Sequence, residues 1–179
     1  MKYVIDCQYE FDSDQLVKEY HEFKRVYRPA DRDGQWNLRV TNDIQGVRAF
    51  NYGAGSLYDK HDNGWAEERE WVATNELIGE YTKQVINEII QYAKPNKIGR
   101  VRYMAMAPKS CLTFHTDLED VCRYHVPLIR DDGAMFINDN TVSVMPAVGT
   151  LYRYDSTSRH TAINASRNVR VHLVASVYK

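Results

Sequence analysis

The sequence predicts an α+β fold that is mainly β, with helices from its N-terminal half packed on the outside of a small β-sandwich or barrel. Three observations predict it. The chain has 179 residues, of which 44% are hydrophobic and 26% charged, which suits one sizeable core in one domain. Helical patterns precede Pro95. After Pro95, short β-branched or aromatic segments alternate with turn residues.

The N-terminal elements alternate between strand and helix. Residues 3–9 alternate loosely between apolar and polar, which predicts a short strand. Asp12 or Ser13 can cap the helix that follows. The apolar side of that helix carries Leu16, Val17, Tyr20 and Phe23. Residues 36–41 are then predicted to form a strand, and residues 42–64, rich in Gly, Asn, Asp and Tyr, to form a loop.

A long helix is predicted over residues 66–94, directly before the β-rich half. Its apolar residues recur near helical spacing, acids crowd its first turn, and Pro95 ends the pattern. Gly79 could kink this helix or divide it in two. Eight short strands follow, near residues 100–107, 112–117, 123–129, 134–137, 141–144, 150–155, 159–164 and 169–178.

Charge and cysteine content exclude several classes of function. The 23 Lys and Arg residues balance 24 Asp and Glu residues, so no excess positive field exists to hold nucleic acid or an acidic membrane surface. No segment approaches the roughly 18 apolar residues that a membrane span needs. Cys7, Cys111 and Cys122 are widely spaced and contain no CxxC pair, which argues against a disulfide framework or a zinc–thiolate site. We expect a cytoplasmic protein without nucleic-acid or membrane partners.

Candidate metal ligands lie in the β-rich half. His115 and Asp117 are two residues apart on a predicted strand, so both side chains are expected on one face. Alone, the pair is weak evidence, because six His and 24 acids predict about one such pair by chance. His160, 43 residues after Asp117, is the candidate third ligand. Two His and one carboxylate leave metal positions open, as in non-haem Fe(II) oxygenases.

Arg170 is a candidate anion-binding residue on the last predicted strand, ten residues after His160. Alternation along that strand places His172, Val174 and Ser176 on the same face as Arg170. We expect His172 to line the barrel. An inward arginine requires an anion, which is either an internal acid or a carboxylate of 2-oxoglutarate. Arg123 and His125 alternate in the same way and could face the same cavity or pair with surface acids.

In their order and spacing, these motifs resemble the aspartyl/asparaginyl β-hydroxylase-like branch of the Fe(II)/2-oxoglutarate dioxygenases, which includes bacterial proline hydroxylases. The resemblance covers roughly residues 98–175. Its motifs are Arg100-Val-Arg-Tyr-Met, Pro108, His115-Thr-Asp117, Arg123-Tyr-His-Val-Pro-Leu128, Pro146-x-x-Gly149, His160-x-x-x-Asn164-x-Ser166 and Arg170-Val-His-Leu173. Lys109 stands where the family usually has glycine.

The resemblance implies a double-stranded β-helix, which is a cupin-like jelly roll. Residues 98–179 would form this core with the metal site, and residues 1–97 its helical support and lid, within a single domain of residues 1–179. Animal members lack the acidic metal ligand, so a chain that has Asp117 looks more like the bacterial branch.

The resemblance also implies an iron site and a cosubstrate site. The implied Fe(II) ligands are His115, Asp117 and His160. The 5-carboxylate of 2-oxoglutarate would lie on Arg170, and the cosubstrate pocket would also be lined by Arg123 and His125. Trp36, Tyr152 and Tyr154 are further possible pocket walls, although packing roles are the simpler interpretation for each of them.

The implied activity is hydroxylation of an unactivated carbon, with O2 and 2-oxoglutarate consumed and succinate and CO2 released. A small amino acid or related molecule is favoured, because the chain shows no repeat and no docking surface of one charge. The loop over residues 42–64 is the candidate lid. The alternatives are a peptide or protein hydroxylase, a cupin-like module that binds a metal or ligand without turnover, and a cupin enzyme without 2-oxoglutarate. Arg170 counts against the last of these.

Overall fold

The computed structural model describes residues 3–27, 34–51, 60–61, 64–65, 70–117 and 120–178. The strands of these residues are β1 (Val4–Glu10), β2 (Gln35–Asn37), β3 (Arg39–Val40), β4 (Lys60–His61), β5 (Gly64–Trp65), β6 (Ala73–Thr74), β7 (Lys97–Met106), β8 (Ser110–Cys111), β9 (Val121–Ile129), β10 (Ala134–Asn138), β11 (Thr141–Ser143), β12 (Thr150–Tyr154), β13 (His160–Asn164) and β14 (Arg170–Tyr178). The helices are α1 (Ser13–Val26), α2 (Gly46–Asn51) and α3 (Glu80–Ala93).

Two antiparallel sheets form the β-rich part of the chain. The larger sheet has six strands in the order β1-β12-β9-β14-β7-β2, and the smaller has four in the order β11-β10-β13-β8. Apolar side chains from both sheets pack between them, among them Met106 and Tyr154 from the larger sheet and Phe136 and Ala162 from the smaller. The predicted cupin-like jelly roll is therefore confirmed.

Helices α1 and α3 cover the outer face of the larger sheet. Alternation along β14 sends Val171, Leu173, Ala175 and Val177 into one apolar cluster with residues of both helices. The intervening residues of β14 face the space between the sheets. The helices are thus packed on the outside, as predicted. In α1, Asp12 is the N-cap, since its side chain accepts a hydrogen bond from the Gln15 N–H.

The helix predicted over residues 66–94 is wrong in its first half. Residues 66–69 lie outside the described residues, and from Glu70 to Gly79 the chain forms β6 and turns, so the helical segment begins only after Gly79. Trp71 and Ile78 are buried, but as parts of this irregular segment. Apolar spacing alone does not distinguish such a segment from a helix face.

The predicted loop over residues 42–64 contains α2, β4 and the start of β5. The lid predicted for this loop falls largely on residues 52–59 and 62–63, which lie outside the described residues. Among the helices that the structure describes, none is long and apolar enough to cross a membrane.

Candidate active site

The three metal ligands predicted from the sequence lie together at one place between the sheets. Their candidate ligand atoms lie within 4.8 Å of one another. His115 Nε2 is 3.8 Å from Asp117 Oδ1, and His160 Nε2 is 4.0 Å from Asp117 Oδ2. Ligands about 2.1 Å from one ion are about 3 to 4 Å from one another, so these separations suit a single divalent cation.

An isolated β-bridge, rather than a regular strand, positions these candidate ligands. The predicted strand over residues 112–117 is wrong, because β8 ends at Cys111. Beyond it, Leu112 N–H donates to Ala162 O at 3.0 Å, and His115 pairs with His160 as an isolated bridge. The N–H groups of His115 and His160 donate reciprocally to each other's carbonyl oxygens, at 3.0 and 2.8 Å. Asp117 N–H donates to Ser156 O at 3.2 Å. These bonds place the two histidines opposite one another and fix the acid beside them.

Both histidines keep Nε2 available for a metal. His115 Nδ1 lies 2.7 Å from Thr113 O, and His160 Nδ1 lies 2.9 Å from Ser158 O. A carbonyl oxygen only accepts hydrogen bonds, so each Nδ1 carries a proton, and Nε2 is the nitrogen whose lone pair a metal would use. Burial lowers the pKa of His160, which favours the neutral ring that a metal requires. The donor set therefore fits Fe(II).

Asp117 is buried and held at both oxygens by Arg123. The Arg123 Nε donates to Asp117 Oδ2, and Nη2 donates to Oδ1 at 2.8 Å. Burial raises the pKa of Asp117, but the charge and hydrogen bonds of Arg123 outweigh it, so the pKa lies below its ordinary value. The carboxylate is ionised, and each oxygen keeps a lone pair beyond the one that Arg123 occupies. Arg123 also lines the cavity, as the sequence predicts.

A cavity of about 660 Å³ opens between the two sheets beside these ligands. Predicted site residues in its wall are His115, Arg123, His125, His160 and Arg170. Trp36 and Tyr154 also belong to the wall, whereas Tyr152 does not and is packed with Phe136 in the core between the sheets. The wall of one cavity thus brings together the two candidate histidine ligands and the predicted anion-binding arginine.

Arg170 is 6% exposed and has no acidic partner among the residues that the structure describes. Its Nε donates to His172 Nε2 at 3.1 Å, and its Nη1 donates to Met106 Sδ at 2.8 Å. Its guanidinium carbon lies 4.6 Å from the centroid of the Phe136 ring. Burial lowers the pKa of Arg170 to about 10, so the side chain is still charged at neutral pH. A buried cation without an acid is unfavourable until an anion pairs with it.

Two buried histidines extend from Arg170 along the inner face of the sheet. His172 Nδ1 lies 3.3 Å from His125 Nδ1, and His125 Nε2 has no hydrogen-bond partner among the described residues. Burial and then the charge of Arg170 lower the pKa of both rings well below the ordinary value. The sequence assigns His172 only to the lining of the barrel. The sequence feature that pointed to its place in the site was the alternation that puts His172 beside Arg170.

Comparison with known proteins shows a family and a shared fold. The family model described as aspartyl/asparaginyl beta-hydroxylase matches residues 20–179. No curated protein matches the sequence. A solved prolyl-4-hydroxylase from Pseudomonas putida is 11% identical, with a TM-score of 0.59 over 99% of this chain and 92% of that one. An oxidoreductase of the 2OG-Fe(II) oxygenase family from Burkholderia pseudomallei is 15% identical, with a TM-score of 0.54 over 90% and 78%.

Proposed function

Because the chain belongs to the aspartyl/asparaginyl β-hydroxylase family of 2-oxoglutarate-dependent dioxygenases, we propose that it hydroxylates an unactivated carbon of a small amino acid or a related molecule. The cosubstrates are 2-oxoglutarate and O2, and the coproducts are succinate and CO2. Fe(II) is bound by His115, Asp117 and His160. The 5-carboxylate of 2-oxoglutarate is bound by Arg170, in a pocket that Arg123 and His125 also line.

One observation carries this proposal. Two histidines and one ionised aspartate lie within 4.8 Å of one another beside a cavity, and the wall of that cavity also holds a buried arginine that has no acidic partner among the described residues. The donor set leaves metal positions open for exchangeable ligands. The arginine supplies a forked donor for a carboxylate. A molecule with a carboxylate at one end and metal-chelating oxygens at the other satisfies both at once, and 2-oxoglutarate is such a molecule.

The residues of the chain contribute binding and orientation. Bound Fe(II) supplies the redox chemistry that couples decarboxylation of 2-oxoglutarate to transfer of one oxygen atom of O2 to a C–H bond. His115 and His160 present Nε2 lone pairs, because their Nδ1 protons are held by backbone carbonyls. Phe136 and Met106 surround the Arg170 guanidinium with apolar atoms, and this low-polarity setting strengthens its attraction for a carboxylate. No side chain has to act as a general acid or base.

The size of the cavity supports a small substrate. A volume of about 660 Å³ falls within the range of roughly 300–1,000 Å³ that is typical of small-molecule sites. It accommodates 2-oxoglutarate together with a substrate of amino-acid size. A peptide would have to enter with one side chain and leave its remaining residues outside the cavity.

Coupled turnover of purified protein tests the proposal. With Fe(II), ascorbate, O2 and 2-oxoglutarate present, we expect at least one free amino acid to stimulate succinate formation and to gain 16 mass units. His160→Ala should abolish both signals. Arg159→Gln, which removes an exposed cation outside the cavity, is the matched control and should keep them. Stimulation by peptides but not by any free amino acid would overturn the small-molecule assignment. No succinate with either class would overturn the activity.

The cosubstrate site has its own test. Arg170→Gln keeps hydrogen-bonding capacity but removes the charge, so we expect the Kd for 2-oxoglutarate to rise more than tenfold, since charge-assisted hydrogen bonds contribute about 1.5 to 3 kcal/mol. The measurement is calorimetric titration of Mn(II)-loaded protein in the absence of substrate. A change below threefold would remove Arg170 from the cosubstrate site.

A further inference from the structure

The loop between β12 and β13 lies against the candidate metal ligand Asp117. β12 ends at Tyr154, and β13 begins at His160. Within this loop Ser156 is fully buried, with 0% of its surface exposed. Its carbonyl oxygen accepts a hydrogen bond from the Asp117 N–H at 3.2 Å. This backbone contact holds Ser156 beside Asp117.

The hydroxyl of Ser156 makes no hydrogen bond of ordinary geometry with the residues that the structure describes. Buried hydroxyl groups nearly always have a partner, so this one requires an explanation. Asp117 is the acceptor close to it. Burial raises the pKa of Asp117, Arg123 lowers it, and the Ser156 side chain lowers it further. The hydroxyl therefore lies within reach of the carboxylate without being aligned with either oxygen.

The carboxylate of Asp117 can accept two further partners. An ionised carboxylate offers about four lone-pair sites, two on each oxygen. Arg123 occupies one site on each oxygen, through Nε at Oδ2 and Nη2 at Oδ1. One site on each oxygen is left. A metal bound through one oxygen takes the third site, and a hydroxyl that donates to the other oxygen takes the fourth.

Both oxygens of Asp117 face a histidine of the candidate metal site. Oδ1 lies 3.8 Å from His115 Nε2, and Oδ2 lies 4.0 Å from His160 Nε2. These distances are nearly equal, so the positions of the histidines leave open whether a metal is bound through one oxygen or through both. A carboxylate that binds through both oxygens takes one more position at the metal. A hydrogen bond to the second oxygen opposes this, because it occupies the lone pair that the metal would use.

We propose that Ser156 is a positioning residue that donates its hydroxyl hydrogen to the Asp117 oxygen that the metal does not use, and so keeps Asp117 a one-oxygen ligand. A hydroxyl suits this role because its hydrogen rotates toward whichever oxygen is left. The consequence is one more exchangeable position at the metal. That a cosubstrate needs this position rests on the proposed function, whereas the hydrogen bond and the number of positions do not.

The exchangeable positions are counted on Mn(II)-loaded protein without 2-oxoglutarate or substrate. Bound Mn(II) relaxes the protons of the water molecules that it coordinates, so the relaxation enhancement rises with their number. Ser156→Ala removes one oxygen atom and lets Asp117 bind through both oxygens. We expect its enhancement to be lower by about one third, because one of the three positions that two histidines and one carboxylate oxygen leave open is lost. Ser156→Thr keeps the hydroxyl and should retain the original enhancement.

Infrared difference spectra report on the carboxylate itself. The antisymmetric and symmetric stretches of a carboxylate are further apart when one oxygen binds a metal than when both do. With ¹³C-labelled aspartate, the Mn(II)-loaded minus metal-free spectrum of the original protein should show the one-oxygen pattern, and that of Ser156→Ala the two-oxygen pattern. A two-oxygen pattern in the original protein, or no difference between Ser156→Ala and the original in spectrum and enhancement, would overturn the proposal.

A hydroxyl on the same loop supplies the matched control. The Thr157 hydroxyl donates to Asp155 Oδ1 at 2.7 Å. Thr157→Val removes this hydroxyl without changing the shape of the side chain, and it should match the original protein in both measurements. If Thr157→Val changes them as Ser156→Ala does, the effect belongs to the loop, and the role of Ser156 is refuted. If Ser156→Thr does not fold, Ser156→Ala and this control still decide.

Binding of 2-oxoglutarate separates this proposal from the proposed function. A chelating ligand has to displace the second carboxylate oxygen in Ser156→Ala, so the Kd of the Mn(II)-loaded variant should rise at least threefold, with Thr157→Val within twofold of the original. If the original protein binds no 2-oxoglutarate but Ser156→Ala changes both spectroscopic signals, the proposed function fails and the role of Ser156 stands. If 2-oxoglutarate binds and is turned over while both signals are unchanged in Ser156→Ala, the role of Ser156 fails and the proposed function stands.

Discussion

Arg123 occupies one lone pair of each oxygen of Asp117, and this pairing orients the acid toward the two histidines. Such partners outside the metal's own ligands typically contribute a factor of ten to a hundred to metal affinity. Arg123 therefore contacts the candidate metal ligand Asp117 and also has a place in the cavity wall.

We predict that Arg123→Gln weakens Mn(II) or Co(II) binding ten- to a hundredfold, because Asp117 loses both its orientation and the cation that keeps it ionised. Competition titration with a chelating dye measures the affinity. Arg159→Gln serves as the control for lost positive charge. Tighter metal binding in Arg123→Gln would show instead that the guanidinium competes with the metal for the carboxylate.

At the scale of single residues, the sequence predicts which side chains form the candidate site better than it predicts which side chains contact one another. Spacing and residue type make His115, Asp117 and His160 candidates, the family resemblance implies them as one ligand set, and the structure brings them together. The partner of Arg123 was not predictable, because sequence alternation gives the face of a strand but not what lies across it. At Lys109 the structure explains an observation made in the sequence. The φ of Lys109 is 55°, in the left-handed region that glycine adopts most easily, which explains why the family usually has glycine there.

At the scale of elements, α3 begins where α1 provides its cap. The Glu19 carboxylate, from α1, accepts hydrogen bonds from the backbone N–H groups of Tyr81 and Thr82, at 3.0 and 2.8 Å, and from the Thr82 hydroxyl at 2.7 Å. A Cβ on Gly79 would lie 2.1 Å from Glu19 Oε2, so only glycine leaves room for this cap. Gly79 was the one local signal that the predicted helix over residues 66–94 could divide, whereas the cap itself lies 62 residues away in sequence and leaves no local signal.

We predict that Glu19→Ala lowers the free energy of unfolding by about 2 kcal/mol, since it removes a charged cap from three buried or half-buried donors. Glu19→Gln should cost less, because the amide oxygen still accepts. Urea denaturation of metal-free protein measures both. Glu22→Ala, on the exposed side of the same helix, is the matched control and should change stability by less than about 0.5 kcal/mol. A similar small change in Glu19→Ala would contradict the capping role.

A second element-scale prediction concerns the turn that joins β1, β9 and β12. Gly149 has φ of 73°, donates to Pro127 O at 2.8 Å and accepts from Phe11 N–H at 2.9 Å. A Cβ there would lie 2.5 Å from Phe11 O, which is backbone and cannot turn away. We predict that Gly149→Ala costs more than about 2 kcal/mol, from the left-handed conformation and the contact together. Urea denaturation tests this, and a loss under about 1 kcal/mol would contradict it.

At the scale of the whole molecule, the two faces of the larger sheet have opposite chemistry. Its outer face is apolar and covered by α1 and α3. Its inner face carries buried polar residues that all line the cavity, namely Arg102, Arg123, His125, Arg170 and His172. The sequence predicts a β-rich core with outside helices because strand patterns and helix patterns are local. The strand order is not local, because each sheet pairs segments that are far apart along the chain.

This buried inner face makes the protein's stability depend on pH, which gives the last prediction. Burial, followed by the charge of Arg170, places the pKa of His125 and His172 well below the ordinary value of 6.5. Below pH 6.5 the unfolded chain therefore binds protons at these two positions that the folded chain does not bind. Stability falls with decreasing pH wherever the unfolded state binds more protons, by about 1.4 kcal/mol per pH unit for each such proton.

We predict that the free energy of unfolding of metal-free protein is nearly constant from pH 8 to 7 and falls below pH 6.5, with a slope of at least two protons near pH 5, because the lowered pKa of His160 adds to the effect of His125 and His172. Urea denaturation at half-unit pH steps measures that slope. His172→Gln removes one titrating ring, so its slope should be smaller by about one proton. If the slope of His172→Gln equals that of the original protein, His172 is protonated in the fold, and a neutral His172 ring beside Arg170 is wrong.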